Sequence, residues 1–580
     1  MIPLHVSYRV EIKKLKFVTG EGVRFPSTAL IHFEVEGRDQ PVVELMGYLG
    51  EEEIYKKVDR GEVLNLDYCY IDQFSLKNYR LTRNMDEKEP VILKTFTARH
   101  SLFGCVVPLD FSHAQFEGEA FSLENSWVSR GPVSFESSLF KSGSIDFHDT
   151  RLPEGYFNFK NVSVESASVI FKNCIFGPGN KDFQYASFGK GDISFINTTF
   201  DEGDVNFINT DFGEGDISFK VARFGTGKVD FHFSTFKSGN ISFERTEFGD
   251  GRVDFRTVEF GKGRVNFNRS MFGNGDVFFD ECEMNEGRLS FKRASFGAGD
   301  ISFEDVLFEH IDVTFERAKF AKGKISFYRS YMQTLSFNFC HLDDYVDLRM
   351  HRCLSIDLSN TVVRDIIDIH PHEFTAEIGT IRMAGMRLIG RLYFDWKLNR
   401  VKEMIQGQEE SSSRLKAEQY RILKENFKNL GQYHDEDRAY VEFKRNESRS
   451  QLEEARKAGP VKRFLHMLFY WFKRWLFDRA GLYATSPVRV LITMLACFGI
   501  FSVAYYLLMF FSAADIIPTV EDHLTMVARS FYHSAITFLT IGYGDHYPYG
   551  FIRWVSSLEG FCGLFLMSYF TVAFVRKILR

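Results

Sequence analysis

Phenylalanine recurs at 135, 147, 159, 171 and on to 327, seventeen positions at a strict twelve-residue step. Chance does not supply such a series. A second apolar residue follows each by five, as in Phe176, Phe188, Phe200 and Phe212, with Leu152, Val164, Met284 and Met332 as substitutes. Many units read Phe-x-x-x-x-Phe-Gly-x-Gly-x-Ile/Val-x, as in Phe207 to Ser218. A short fixed period with a bulky anchor means a solenoid, in which each unit covers the core of its neighbour.

The five-residue step, with a small residue two before the second anchor (Thr198, Thr210, Ala222, Ser234, Thr246), resembles the pentapeptide-repeat family. That resemblance implies a right-handed parallel β-helix. The seven-residue step departs from the family by a Gly-x-Gly insertion. A coil of twelve or of twenty-four residues fits the period, and volume favours the second: two inward phenylalanines scarcely fit a twelve-residue layer, whereas twenty-four residues give four sides and four inward rings. The strict series then makes about eight and a half coils, a rod of roughly 40 Å at ~4.8 Å per coil. From Leu335 the spacing loosens to five and six, through Phe337, Leu342, Leu348, Cys353, Leu358 and Val363. Coils continuing to about Trp396 are expected.

The Gly-x-Gly-Asp strings (Gly189 to Asp192, Gly213 to Asp216, Gly273 to Asp276) do not read as dinucleotide loops, because a strand pattern follows where a helix is required. Calcium-binding repeats have period nine, and the Asp here becomes Lys228, Arg252 or Arg264. Corner turns are the reading adopted. The solenoid mixes both charge signs, which argues against mimicry of DNA.

At the other end, Thr540-Ile541-Gly542-Tyr543-Gly544-Asp545 lies between two apolar runs, Val490 to Phe511 and Phe551 to Val575. The first is long enough to cross ~30 Å of hydrocarbon. Met526 to Leu539 reads as a short amphipathic helix delivered into the hexapeptide. Replacing an ion's water shell with carbonyl oxygens requires consecutive carbonyls to point one way, hence alternating left- and right-handed dihedrals that glycine tolerates. The hexapeptide and its flanks, Val488 to Arg580, resemble the potassium-channel pore family. The resemblance implies a tetramer, K⁺ bound by Thr540, Ile541, Gly542 and Tyr543, a hydroxyl ring from Thr540, a brace from the Tyr543 phenol, and Asp545 at the outer mouth. A pore helix directs its partial negative end at the cation. Leu539 before the filter, and Phe531-Tyr532 in place of paired tryptophans, depart from the family pattern. In the second run, Gly560 and Gly563 are candidate bend or close-packing points, and Glu559 is a candidate functional or paired carboxylate behind the filter.

Lys462, Arg463, Lys473, Arg474, Arg479 and Arg489 precede the first span, and Arg576, Lys577 and Arg580 follow the second. Between them Arg529 stands against Asp515, Glu521, Asp522 and Asp545. Cationic flanks stay inside, so both termini are expected in the cytoplasm of a multi-pass plasma (inner) membrane protein, with the first span directing insertion. Arginine does not recur at every third position, which argues against strong voltage sensing. The expected domains are a small β-rich domain or cap (1–105), the solenoid (106–396), a helical hairpin (397–460), an interfacial helix (461–486) and the pore domain (487–580). In the hairpin, Tyr420, Leu423, Phe427 and Leu430 keep helical spacing, Gly431 ends the run, and Asp435 or Asp437 can cap the next helix. Phe464 to Phe477 reads as a helix lying along the lipid surface, a buried cytoplasmic helix being the other reading.

The net charge of −6 and pI near 6.3 argue against nucleic acid as a partner. Eight scattered cysteines fit a reducing compartment, and His370 with His372 around Pro371 is weak evidence of metal. No nucleophile–base pair, phosphate loop or paired-carboxylate motif suggests an enzyme, and no cofactor is expected beyond the permeant K⁺. Two further readings stay open: a membrane-anchored scaffold that recruits a protein to the solenoid, with conduction secondary, and a solenoid that binds a soluble ligand with the channel as readout.

Overall fold

The computed structural model describes residues 5–35, 40–370, 376–456, 460–521 and 523–579. Expectations placed on Pro371, His372, Asp522, Arg580 and the side chain of Lys462 lie outside the described residues. The chain divides into two compact units, Met1–Gly407 and Gln408–Arg580.

The first unit is a parallel β-solenoid whose coils close every twenty-four residues. Ile193 pairs with Ile217, Ile217 with Ile241 and Ile241 with Val265 on one side of the coil, and a different side, holding Val205, Val229 and Val253, stacks thirteen strands. That side runs from Leu109–Asp110 to Arg391–Tyr393, so coils extend beyond both ends of the strict phenylalanine series. The first anchors form two columns. Phe195, Phe219, Phe243 and Phe267 stack with centroids 4.6–4.8 Å apart, and meet the Phe207–Phe231–Phe255 column edge to face at 5.6–6.0 Å. The second anchors stack separately, as Phe200 on Phe224 at 4.7 Å and Phe212 on Phe236 at 4.4 Å. Stacked and edge-on rings are the favoured aromatic geometries, and these columns fill the core.

Polar ladders hold the coils in register. At four of these positions the small residue two before the second anchor donates its hydroxyl to an anchor carbonyl one coil back: Thr198 to Phe171, Thr210 to Phe183, Ser234 to Phe207, Thr246 to Phe219. Cys282 takes that role toward Phe255. The corner aspartates accept backbone N–H from the next coil, Asp192 from Asp216 at 2.9 Å and Asp204 from Lys228 at 2.8 Å. The strand Ile193–Ser194 follows Gly189-x-Gly191-Asp192, as a corner requires. The glycines serve chiefly close approach. A Cβ on Gly189 would lie 1.8 Å from the Glu165 carbonyl oxygen, and on Gly239 1.8 Å from that of Gly215.

At the N-terminus, strands β1 (His5–Lys13), β2 (Ser27–Val35) and β3 (Val42–Tyr48) form an antiparallel sheet whose last strand pairs in parallel with the coil strand Cys69–Ile71. Helices α1 (Glu51–Asp59) and α2 (Leu76–Thr82) interrupt the early coils. Coil strands thus begin well inside the 1–105 segment. At the other end α3 (Val401–Gln406) buries Val401, Met404 and Ile405.

In the second unit, α4 (Ser413–Asn429) and α5 (Tyr433–Arg456) form the helical hairpin, with Gly431 at φ +72° between them. Tyr420, Leu423 and Phe427 are fully buried. Helix α6 (Pro460–Lys473) runs into a π-helical turn, Arg474–Arg479, and exposes Phe464, Leu468, Phe469, Phe472 and Trp475. Helices α7 (Pro487–Phe511) and α9 (Ile552–Ile578) are each long and apolar enough to cross a membrane, and α8 (Met526–Phe538) lies between them in sequence.

Candidate functional site

Helix α8 is started by Thr525, whose hydroxyl accepts the Ala528 N–H, and it ends directly in the hexapeptide. Its last carbonyls hold the start of that segment: Thr537 accepts from the Thr540 N–H at 3.1 Å, and Ile536 from those of Ile541 at 2.9 Å and Gly542 at 3.3 Å. Thr540, Gly542 and Gly544 have φ of +55°, +56° and +75°, while Ile541 and Tyr543 between them do not. This alternation of hand turns successive carbonyls toward one side. A Cβ on Gly542 or Gly544 would meet nothing within 4 Å in this chain, so glycine is required there by conformation rather than space. Thr540 adopts the same hand at a steric cost, its hydroxyl donating to the Leu539 carbonyl at 2.7 Å. Within one chain the Ile541 and Tyr543 side chains are 46% and 71% exposed.

The Asp545 end of the hexapeptide is fixed by groups the sequence did not single out as partners. The Tyr532 phenol donates to the Asp545 carboxylate at 2.6 Å, and the buried His546 imidazole stands 3.4 Å from the same oxygen. Thr519 donates its N–H and its hydroxyl to the Asp545 carbonyl at 2.8 and 2.7 Å. Tyr532, one of the departures from the pore-family pattern, thereby ties α8 to the end of the hexapeptide.

Behind α8, Glu559 is fully buried and accepts hydrogen bonds from Ser534 and, at 2.5 Å, from Tyr505. Ser556 lies 3.2 Å from the Tyr505 hydroxyl and 2.9 Å from His533 Nε2. One cluster therefore joins α7, α8 and α9. Gly563 is a close-packing point, because a Cβ there would lie 2.0 Å from the Phe538 carbonyl oxygen. Gly560 is less constrained, its nearest neighbour being Thr537 at 4.0 Å, and α9 runs unbroken through both.

At the opposite end of the spans, Asp437 does not cap α5. It accepts from Lys577 at 2.7 Å and Arg576 at 3.0 Å, and the Arg576 guanidinium lies 4.4 Å over the Tyr440 ring. Further along α5, Arg445 forks onto Asp478 in the π-helical turn at 2.8–3.2 Å. The elbow that follows holds Leu482, Tyr483 and Ala484 at φ of 48°, 54° and 61°, an unusual run for residues bearing a Cβ. The Tyr569 hydroxyl of α9 bridges it, donating to the Phe477 carbonyl at 3.0 Å and accepting the Ala484 N–H at 2.8 Å. Motif reading located Glu559 and the hexapeptide but missed these ties, which bring together residues up to 140 positions apart.

A family model described as an ion channel matches residues 507–580, which hold the C-terminal end of α7, α8, the hexapeptide and α9. No curated protein and no solved structure matches the chain. The C-terminal part of this protein is an ion-channel domain, carried on the same chain as a long parallel β-solenoid with a helical hairpin between them.

Proposed function

We propose that the protein is a potassium-selective channel, a homotetramer in which Thr540 to Asp545 of four chains line one pore. The observation that carries this reading is the alternating hand of Thr540 to Gly544 at the end of a short helix between two apolar spans. Hydrated K⁺ sheds its water into the carbonyl ladder of Thr540, Ile541, Gly542 and Tyr543, and moves by displacement between adjacent ions. Asp545, locked by Tyr532 and Thr519, sets a negative outer mouth. A ring of four chains supplies the neighbours against which the exposed Ile541 and Tyr543 side chains pack.

The chain sits in the plasma (inner) membrane with both termini cytoplasmic, and α6 lays its exposed aromatic face on the inner leaflet. Signals from the solenoid reach the pore through α5, whose Asp437 and Arg445 grip the inner end of α9 and the elbow before α7. Purified protein in liposomes, given K⁺ and Na⁺ gradients in turn, tests the selectivity. Selective K⁺ flux is expected, with at least a tenfold loss in Gly542→Ala, where a Cβ disfavours the left-handed backbone. Equal Na⁺ and K⁺ flux, or an unimpaired variant, rejects the filter assignment.

A further inference from the structure

One side of the solenoid is built from Ile217–Ser218, Ile241–Ser242, Arg264–Asn266 and Arg288–Ser290, paired coil on coil. Strand residues alternate between core and surface, so three outward columns run up this side. The middle column is short: Ser218, Ser242, Asn266 and Ser290. Longer side chains flank it, Asp216, Asn240, Arg264 and Arg288 on one edge and Lys220, Glu244, Asn268 and Lys292 on the other. Short residues between long ones leave a trough of about 630 Å³ across four coils. Small-molecule sites have volumes of this order. Half a coil away the matching column is filled: Asp254 pairs with Arg252 at 2.9 Å, and the same guanidinium lies 4.4 Å over the Phe278 ring.

The two ends of the trough differ in chemistry. At one end Arg264 and Arg288 are register partners, and Lys292 stands across the floor from Arg288. Arg264 makes no ion pair among the described residues, while Arg288 has Asp312 at 3.5 Å and Lys292 has Glu316 at 2.6 Å, both in the coil beyond. The other end offers neutral donors and a carboxylate. Asp216 spends one oxygen on the Asn240 backbone N–H and side-chain amide, at 2.7 and 3.2 Å. Its second oxygen makes no hydrogen bond among the described residues, and neither does the Ser218 hydroxyl. Lys220 is turned to Glu244 at 3.2 Å. Between the ends, the Asn266 carbonyl accepts the Asn268 N–H at 2.9 Å, which leaves the Asn266 amide to face the trough. Among the described residues no aromatic ring lines it.

We propose that this trough binds a small sugar phosphate. Two arginines ~4.8 Å apart on neighbouring strands repel unless an anion lies between them. A phosphate dianion has the charge and the oxygens to accept from both guanidinium forks, with Lys292 as a third donor, whereas a carboxylate serves one fork. The body attached to that phosphate then lies along serine hydroxyls and asparagine amides and reaches Asp216. Those groups donate to and accept from hydroxyls, so a sugar fits them. A nucleobase gains most from an aromatic face, which the trough does not offer. The solenoid thereby has a ligand of its own, whatever the pore conducts.

The test titrates full-length protein in detergent by calorimetry. The probes are a panel of pentose and hexose monophosphates, the same sugars without phosphate, inorganic phosphate, and a single-stranded oligonucleotide. At least one sugar phosphate should bind tenfold or more tighter than inorganic phosphate, and the free sugars should give no heat of binding. Arg264→Asn with Arg288→Asn extends the amide that Asn240 already places in that column. This pair should weaken the sugar phosphate at least tenfold and weaken inorganic phosphate as well. Asp216→Asn keeps an acceptor for the Asn240 N–H and should weaken the sugar phosphate several-fold, with inorganic phosphate bound no more weakly than by the parent. That split separates loss of a sugar contact from loss of the fold. Binding that survives the arginine pair would overturn the proposal, and so would no binding by any member of the panel. Inorganic phosphate binding as tightly as every sugar phosphate would reduce the trough to an anion site, and a tighter oligonucleotide would assign it to a polyanion; either result rejects the sugar phosphate.

Discussion

Every twelfth residue, two beyond each first anchor, adopts the left-handed backbone without being glycine. Asn161, Asn173, Asn197 and Asn209 do so at φ 53–57°, and Val221, Phe233, Arg245 and Thr257 at 54–59°. Asparagine tolerates that region; a β-branched or bulky residue enters it at about 1–2 kcal/mol. The sequence carries the cue in its asparagines, but later units drop it, so the position was not legible across the repeat. Lys181 is a second local exception. It stands where the ladder otherwise holds apolar residues, between Phe157 and Val205, and donates to the Asp201 and Glu202 carbonyls at 2.9 and 3.1 Å. Burial lowers its pKa to about 8, so the folded state disfavours the ammonium. The penalty is complete below pH 8 and fades as pH rises toward the unfolded value near 10.5. Lys181→Val should stabilise the solenoid by about 2 kcal/mol near pH 7. Its advantage in thermal denaturation over the parent should shrink between pH 8 and 10; an advantage independent of pH would place the effect in packing alone.

At the scale of elements, the helices were legible from spacing and the ties between them were not. Leu423, Phe427 and Gly431 announced α4 and its end, and a capping aspartate was expected at 435 or 437. Asp437 instead faces two cations at the end of α9, because α5 starts at Tyr433 and so places Asp437 a full turn inside the helix, away from its N-terminus. Asp437→Asn keeps the shape and removes the charge. If α5 transmits to the pore, this variant should shift open probability several-fold in single-channel recordings while leaving K⁺ over Na⁺ selectivity unchanged, since it touches nothing near Thr540. Altered selectivity would indicate a general disturbance of the pore domain. Gly563 shows the same division at the other end of α9. Its small size was legible as a packing signal, whereas its partner, the Phe538 carbonyl, belongs to a different helix.

On the scale of the whole molecule, a channel domain and a solenoid of two distinct compact units share one chain. If the solenoid governs the pore, removing residues 1–407 should change open probability and keep ion selectivity. Unchanged gating under all conditions tried would reject that role. The sequence by itself determined the twelve-residue unit and favoured a coil of two such units, because two phenylalanines scarcely fit a twelve-residue layer; the pairing of Ile193 with Ile217 decided it. It also marked the hexapeptide, because alternating backbone hand calls for glycine at fixed positions. Both signals are periodic or contiguous, so the information lies within a short window. Only the tertiary structure decided that the corner glycines answer to backbone approach from the preceding coil, that Tyr532 and Thr519 hold Asp545, and that Glu559 joins three helices. These depend on which residues distant in sequence arrive at one point, and no local pattern encodes that meeting.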